Sequence, residues 1–206
     1  MLNDLIKRYP SLLEIKDDIS KAGEMLVNGF KSGNKLLLCG NGGSCADCEH
    51  IAGELMKGFL SKRPLTESQK ATMKANCPEI DDTCLLSLQR AVPAISLPSF
   101  TALNTAFCND VEPDLVFAQD IMGLGNANDI LLAISTSGNS KNIVTAALTA
   151  KALGLKTVGL TGKSGGRLKS VCDVCICVPE TETFKVQELH LPVYHYLCAK
   201  VEKELF

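Results

Sequence analysis

Short apolar runs alternate with longer amphipathic segments along most of the chain. Five runs are short enough to be buried strands: KLLLC (35–39), AVPAISL (91–97), DILLAI (129–134), KTVGL (156–160) and VCICVP (174–179). Segments with helical periodicity separate them, which is typical of parallel βαβ units in one doubly wound sheet. We therefore predict an α/β domain built on a five-stranded parallel sheet.

Helices are predicted where apolar positions recur every three or four residues. Ser44 and Asp47 have the spacing of a capping box, which places a helix start at Ser44. The predicted helices span 11–32 with a stop at Gly33, Ser44 to about Lys57, the segment after the third strand to near Gly154, a short piece after the fourth strand, and about 184–204.

An extra polar stretch lies between Leu60 and Val92. It contains TESQKATMKAN and PEIDDTCLLSLQRA, which predict two short helices that begin at Thr66 and Pro78. We interpret about 61–92 as a helical insertion and not as a second domain. Residues 1–206 are thus predicted to form a single domain.

The composition limits the classes of function. The chain has 206 residues, of which 46% are hydrophobic and 21% charged, with a net charge of −2. This is a globular composition, and the absence of a Lys/Arg run argues against nucleic-acid binding. The apolar runs are too short for a bilayer, and the mixed-charge N-terminus is unlike a signal peptide. We expect a cytoplasmic protein with no membrane partner.

The ten cysteines allow two interpretations. Cys45-x-x-Cys48, and Cys172-x-x-Cys175 followed by Cys177, have a spacing found in zinc ribbons. However, Cys175 and Cys177 alternate within a predicted strand, and free cysteine commonly behaves as a small buried hydrophobe. We favour structural thiols, and a disulfide framework is not expected in a cytosolic chain of this size.

A cluster of hydroxyl side chains follows the third predicted strand. Ser135, Thr136, Ser137 and Ser140 of ISTSGNS stand where a helix begins. GNGGS follows the first strand in the same way, and ligands of parallel sheets bind beyond the carboxyl ends of the strands. Unpaired N–H groups at helix N-termini, close backbone approach at glycine and added O–H donors suit a phosphate. The alternative is that Ser137 or Ser140 only caps the helix.

TVGLTGKS resembles the P-loop of nucleotide hydrolases. Thr157 stands where that motif needs its first glycine, and it lies inside a predicted strand. We therefore expect no bound nucleotide, and the chemistry below needs no redox cofactor.

The candidate acid–base groups fall in two predicted helices, which contain all three histidines. His50 and Glu54 share one helical face at a spacing of four residues, and Gln187 and His195 lie two turns apart in the last helix, with Pro192 between them. Such groups exchange protons near neutral pH when their surroundings tune them, and they also suit zinc. From spacing alone, a solvated pair is the preferred interpretation of His50 and Glu54.

Taken together, several motifs resemble one family. CGNGGS…H…GEL, CND, ISTSGNS, LTGKSGG and VQELHLPVYH are similar to the sugar isomerase (SIS) domain, and most similar to phosphoheptose isomerases, across nearly the whole chain. The resemblance implies a flavodoxin-like sheet, a phosphorylated-sugar substrate and a homotetramer with active sites at subunit interfaces. It implies conversion of sedoheptulose 7-phosphate to D-glycero-D-manno-heptose 7-phosphate through an enediol(ate).

The resemblance also implies roles for individual residues. Glu54 and His195 match the acid–base pair. Zinc-containing members ligate the metal at the positions of His50, Glu54, Gln187 and His195, which also places Gln187 at the substrate. The implied binding residues for the phosphate and the sugar are Ser135, Thr136, Ser137 and Ser140, with Asn41, Ser44, Asn109 and Asp110 near the sugar.

Three features depart from the family pattern. Gly58 stands where an arginine is common, and Lys57 is a candidate substitute that lacks the bidentate fork of arginine. KVQ replaces RIQ before Gln187, and the insertion is longer than the usual connector. The alternative function is a non-catalytic SIS module that binds a phosphosugar for regulation or binds a replication initiator.

Overall fold

The computed structural model describes residues 1–206. Its sheet has five parallel strands in the order β2-β1-β3-β4-β5, which confirms the predicted flavodoxin-like α/β architecture. The strands are β1 (Leu36–Gly40), β2 (Ala94–Ser96), β3 (Ile130–Ser135), β4 (Lys156–Thr161) and β5 (Val174–Cys177).

Ten α-helices and three 3₁₀ segments connect and cover the strands. The α-helices are α1 (Leu2–Arg8), α2 (Lys16–Lys31), α3 (Gly43–Met56), α4 (Glu67–Asn76), α5 (Asp82–Ser87), α6 (Thr101–Asp110), α7 (Val116–Leu124), α8 (Lys141–Ala152), α9 (Leu168–Val171) and α10 (Thr183–Leu205), and the 3₁₀ segments are Pro10–Ile15, Leu97–Ser99 and Pro113–Leu115. None of the helices has the combined length and hydrophobicity that a membrane crossing requires.

The sheet separates two hydrophobic layers. Helices α2, α3 and α10 cover one face and meet β1 side chains such as Leu36 and Leu38. Helices α7, α8 and α9 cover the other face, where the alternate residues Leu37 and Cys39 point. The central strands β1 and β3 are buried on both faces, which explains why their sequences are continuous apolar runs.

Several predicted boundaries were wrong. The segment 11–32 is divided between a 3₁₀ turn that starts at Pro10 and helix α2, because proline favours the first turn of a new helical segment. The 91–97 strand pairs only over Ala94–Ser96. Helices α1, α6 and α7 were not predicted.

The start of α3 also differs from its prediction. The N-cap is Gly42, whose positive φ of 54° suits glycine, and no side chain caps the helix. Ser44 lies within the first turn, where its N–H donates to the Asn41 carbonyl. Asp47 therefore takes no part in a capping box, and its carboxylate bonds to a different helix.

The insertion forms two short helices, as predicted. Thr66 and Gln69 make the capping box that starts α4. Helix α5 starts at Asp82 and not at Pro78, because Asp81 is its N-cap and the Asp81 carboxylate accepts the Cys84 N–H at 2.7 Å. Helix α4 buries no residue, and the insertion closes at its base where Arg90 N–H donates to the Arg63 carbonyl.

The ten cysteines are free thiols. Cys175 and Cys177 share one face of β5 with their Sγ atoms 3.7 Å apart, which confirms the strand interpretation of their spacing. Cys48 of α3 is buried in the hydrophobic core.

Candidate active site

The loops that follow β1 and β3 lie side by side. These strands are neighbours in the sheet, and the chain reverses its direction of winding between them, which is where open α/β sheets bind ligands. Together the loops enclose a pocket of about 280 Å³. Its lining residues are all uncharged: Asn41, Gly42, Gly43, Ser44, Ile134, Ser135, Thr136, Ser140, Thr183 and Gln187.

Three helices begin at this pocket. Gly43 opens α3, Ser140 precedes the first residue of α8, and Thr183 opens α10. The free N–H groups and partial positive charge of each N-terminus favour an anion, without any lysine or arginine. Thr183 and the contribution of α10 were missed by the sequence analysis, because nothing local in the sequence shows which helix starts share one pocket.

The predicted hydroxyl residues do not all play the same part. Ser135 and Ser140 place their Oγ atoms 3.0 Å apart at the pocket, and Thr136 lines it. Ser137 is exposed and lies outside the lining, where its Oγ accepts the Asn139 N–H. Ser140 holds the N-cap position, yet its hydroxyl accepts no helix N–H. Plain capping therefore does not explain this cluster.

Neighbouring contacts hold the two loops in place. Asn41 and Asn142 exchange two side-chain hydrogen bonds of 2.9 Å, which connect the β1 loop to α8. Gly138 has a φ of 66°, and a Cβ there would lie 2.1 Å from the Gly165 carbonyl oxygen. The loop of residues 162–167 thus packs against the loop that contains Ser137 and Gly138, and position 138 must be glycine for the two backbones to come this close.

Replacing Ser140 by alanine tests the pocket directly. We expect weaker binding of a sugar phosphate, with KM raised about 2- to 13-fold, because one neutral hydrogen bond contributes roughly 0.5–1.5 kcal/mol. Stability should change little, since the hydroxyl does not cap α8. Ser137→Ala is the matched control with the same atoms removed. Equal effects of both substitutions on KM would contradict the assignment.

The second part of the site lies between α3 and α10, which run parallel. Gly43 packs against the Gln187 side chain at one end, and His50 contacts Tyr194 further along. Rises of 1.5 Å per residue place His50 about 10 Å beyond Gly43 along its helix. The acid–base candidates therefore lie in line with the anion pocket and at a distance from it.

The structure brings His50, Glu54 and His195 together. His50 Nε2 is 3.3 Å from Glu54 Oε1 and 3.5 Å from His195 Nε2. Phe59 packs against the His195 ring, with ring centroids 5.5 Å apart. The pair from one helix and the histidine from the other thus meet, as predicted, and they do so within one chain.

The protonation of His195 depends on these surroundings. Burial lowers the pKa of His195, and the nearby His50 and Arg8 act in the same direction, whereas Glu54 opposes them. The imidazole is therefore neutral at physiological pH, with one nitrogen that donates and one that accepts a proton. Lys57 reaches Glu54 from the solvent side, with its Nζ 3.2 Å from Oε2.

Three predicted residues lie apart from this cluster. Gln187 belongs to the anion pocket, one side of which it forms against Gly43. Eight residues separate it from His195, or about 12 Å along the helix. Asn109 and Asp110 stand at the exposed end of α6, where the Asn109 amide donates to Asp110 at 2.8 Å, and neither lines the pocket nor contacts the three clustered side chains.

Comparison with known proteins identifies the family. The SIS domain model matches residues 4–92 and 87–162. The phosphoheptose isomerase of Shewanella pealeana is 40% identical over 195 residues, covering 93% of this chain and 86% of the relative. That of Akkermansia muciniphila is 35% identical over 198 residues, covering 96% and 91%. The chain belongs to the phosphoheptose isomerase family of SIS-domain proteins.

Solved structures agree with this assignment. Phosphoheptose isomerases from Neisseria gonorrhoeae and Francisella tularensis superpose with TM-scores of 0.74 and 0.75, each at 28% identity and each covering 98% of this chain. The match covers 91% and 94% of those chains, so the similarity extends over the whole fold.

Gly58, where the resemblance to the family led us to expect an arginine, lies in a tight turn. A Cβ at this position would lie 2.3 Å from the Ser61 carbonyl oxygen, because the chain turns back tightly after α3. The Gly58 N–H donates to the Gln89 side chain at 2.6 Å. An arginine does not fit here without a shift of the backbone. Lys57 is the cation that this family member places beside Glu54.

The predicted zinc ligands have suitable chemistry. Zinc binds imidazole nitrogens and carboxylate oxygens, and the two distances at His50 Nε2 are close to the ~3.3 Å between ligands in a tetrahedral site with ~2.0–2.1 Å bonds. Yet Gln187 lies apart, and no group of three or more His, Cys, Asp or Glu side chains is arranged to hold a metal ion. Of the four predicted ligands, His50, Glu54 and His195 thus lie together, and Gln187 faces the anion pocket.

Proposed function

We propose that this chain is an aldose–ketose isomerase that interconverts sedoheptulose 7-phosphate and D-glycero-D-manno-heptose 7-phosphate. One observation carries the proposal: a pocket at three helix N-termini lies in line with Glu54 and His195 between two parallel helices. A phosphate held at one end would place the carbonyl end of an extended sugar at the other. The separation of about 10–12 Å is of the order that a seven-carbon sugar phosphate spans.

The side chains present can move the protons of such a reaction. Glu54 is a carboxylate that removes the proton from C2 (or C1), which gives an enediolate. Neutral His195 donates to one substrate oxygen and accepts from the other. Binding of the remote phosphate fixes the orientation of the reacting carbons, so the transfer distances are short when the proton moves.

Zinc is part of this proposal. His50, Glu54 and His195 are the residues that would hold it, while Gln187, the fourth predicted ligand, lies at the anion pocket. A bound zinc ion would polarise the sugar carbonyl as a Lewis acid. Elemental analysis of the purified protein should find close to one zinc per chain, and His50→Ala should lose it. Full activity of zinc-free protein after EDTA treatment would contradict a catalytic role for the metal.

The test of the function is incubation with sedoheptulose 7-phosphate in deuterated water. We expect the aldose to accumulate and one carbon-bound proton to exchange with solvent, as followed by NMR. Sedoheptulose without the phosphate is the control, and it should react far more slowly because it lacks the anchoring group. Absence of exchange with any of a panel of phosphosugars would instead support the non-catalytic binding module.

We also propose that the protein is a homotetramer and works in the cytoplasm. Large hydrophobic side chains are exposed on the single chain, among them Leu60, Val111, Met122 and Phe184, which supports burial by further copies. Light scattering after size-exclusion chromatography should give four times the chain mass. A monomer at micromolar concentration would contradict the assembly.

A further inference from the structure

A buried tyrosine connects α10 to two polar residues of α3. Tyr194 is 1% exposed, and its hydroxyl lies 3.1 Å from Asp47 Oδ1 and 3.1 Å from His50 Nδ1. The His50 ring stands edge-on to the tyrosine, with centroids 5.5 Å apart. The mechanism above uses neither Tyr194 nor Asp47, although both lie directly behind the acid–base cluster.

The single phenolic proton decides the direction of these bonds. A phenol donates one hydrogen bond, and an ionised carboxylate can only accept. The Tyr194 oxygen lies at the same distance from both neighbours, so its one proton can serve only one of these two contacts. Tyr194 therefore donates to Asp47, and its oxygen accepts the proton that His50 carries on Nδ1.

With its proton on Nδ1, His50 has a lone pair on Nε2. His50 Nε2 faces Glu54 Oε1 at 3.3 Å and His195 Nε2 at 3.5 Å. His195 can donate a hydrogen bond to His50 Nε2. In contrast, the contact between His50 Nε2 and an ionised Glu54 Oε1 brings two lone pairs together. That contact is favourable only when a proton or a cation lies between them, as it does once Glu54 has taken a proton from the sugar.

We propose that Tyr194 and Asp47 are positioning residues that hold the His50 proton on Nδ1 and so keep the Nε2 lone pair directed at Glu54 and His195. The kinetic part of this proposal rests on the isomerase function proposed above. The tautomer itself is a property of the protein and is measured without substrate.

The test is a long-range ¹H–¹⁵N spectrum of the full-length, EDTA-treated protein. The chain has three histidines, so the imidazole signals are assigned by replacing one at a time. We expect His50 as the Nδ1–H tautomer. In Tyr194→Phe, the His50 signals should move toward the Nε2–H form, and kcat should fall about 10- to 100-fold with KM nearly unchanged, as is typical when a partner that orients a histidine is removed.

Tyr196→Phe is the matched control, since this second tyrosine of α10 makes no hydrogen bond to the cluster, and it should leave the spectrum and kcat unchanged. Should Tyr194→Phe fail to fold, Asp47→Asn removes the charge that sets the direction and should also mix the tautomers. An Nε2–H tautomer in the wild type, or an unchanged His50 tautomer in the folded variants, would overturn the proposal. If the wild type isomerises no phosphosugar, the proposed function fails and the spectra alone decide the tautomer.

Discussion

Replacing Glu54 by glutamine should lower kcat by about 10²–10⁴-fold, which is the usual contribution of one acid–base group. Glutamine keeps the size of the side chain and removes its ability to take a proton. The anion pocket begins at Gly43, about 16 Å from Glu54 along α3, and contains no part of Glu54, so phosphosugar binding should persist. Exchange of a C1 proton of sedoheptulose 7-phosphate in deuterated water is the most direct measurement, because it does not depend on release of the product.

Glu49→Gln is the control for this substitution. Glu49 belongs to the same helix and is exposed, and its carboxylate accepts only from Ser99, at 3.3 Å. It should leave kcat and KM near their wild-type values. Retention of wild-type exchange by Glu54→Gln would remove Glu54 from the mechanism. Loss of phosphosugar binding, measured by calorimetry, would show that the substitution had disturbed the whole pocket.

The anion pocket was largely predictable from the sequence, for a physical reason. Parallel strands end at one edge of the sheet, so two glycine- and hydroxyl-rich turns after buried strands converge there whatever the details of the helices. Spacing singled out His50 with Glu54 and Gln187 with His195, and the resemblance to the family implied their roles. The meeting of these three across α3 and α10 needed only that both helices cover the same face.

The residues that support the site were not predictable in the same way. Asp47 has the spacing of a capping residue, and only the packing of α10 shows that it bonds to Tyr194. Gln187 was grouped with His195 because two helical turns share a face, yet the two residues serve opposite ends of the site. Arg63 stands in a polar insertion, where a sequence pattern indicates exposure, but its side chain is fully buried.

Arg63 and Glu202 form a buried ion pair that fixes the end of α3. Arg63 Nε donates to Glu202 at 2.7 Å, and the guanidinium also donates to the carbonyls of Leu55 and Glu54 at 2.7 and 3.1 Å. The Glu202 carboxylate further accepts the N–H groups of Phe59, Leu60 and Ser61. Burial alone would raise the pKa of Glu202, but the Phe59 N–H and Arg63 outweigh it and lower the value.

Replacing Arg63 by methionine should therefore cost about 3–5 kcal/mol in the free energy of unfolding, because it leaves a buried carboxylate without its cation. The chain after Glu54 should also loosen, so kcat should fall at temperatures where the variant is still folded. Urea denaturation measures the first effect and the exchange assay the second. Lys31→Met breaks the exposed Lys31–Glu204 pair at 3.5 Å and is the control, with an expected cost of at most about 1 kcal/mol.

Because the unpaired charge causes most of the loss, the double variant Arg63→Met, Glu202→Leu should be more stable than Arg63→Met alone. A double variant whose loss equals the sum of the two single losses would show that Arg63 and Glu202 act independently, and that the connection between α10 and the catalytic helix lies elsewhere.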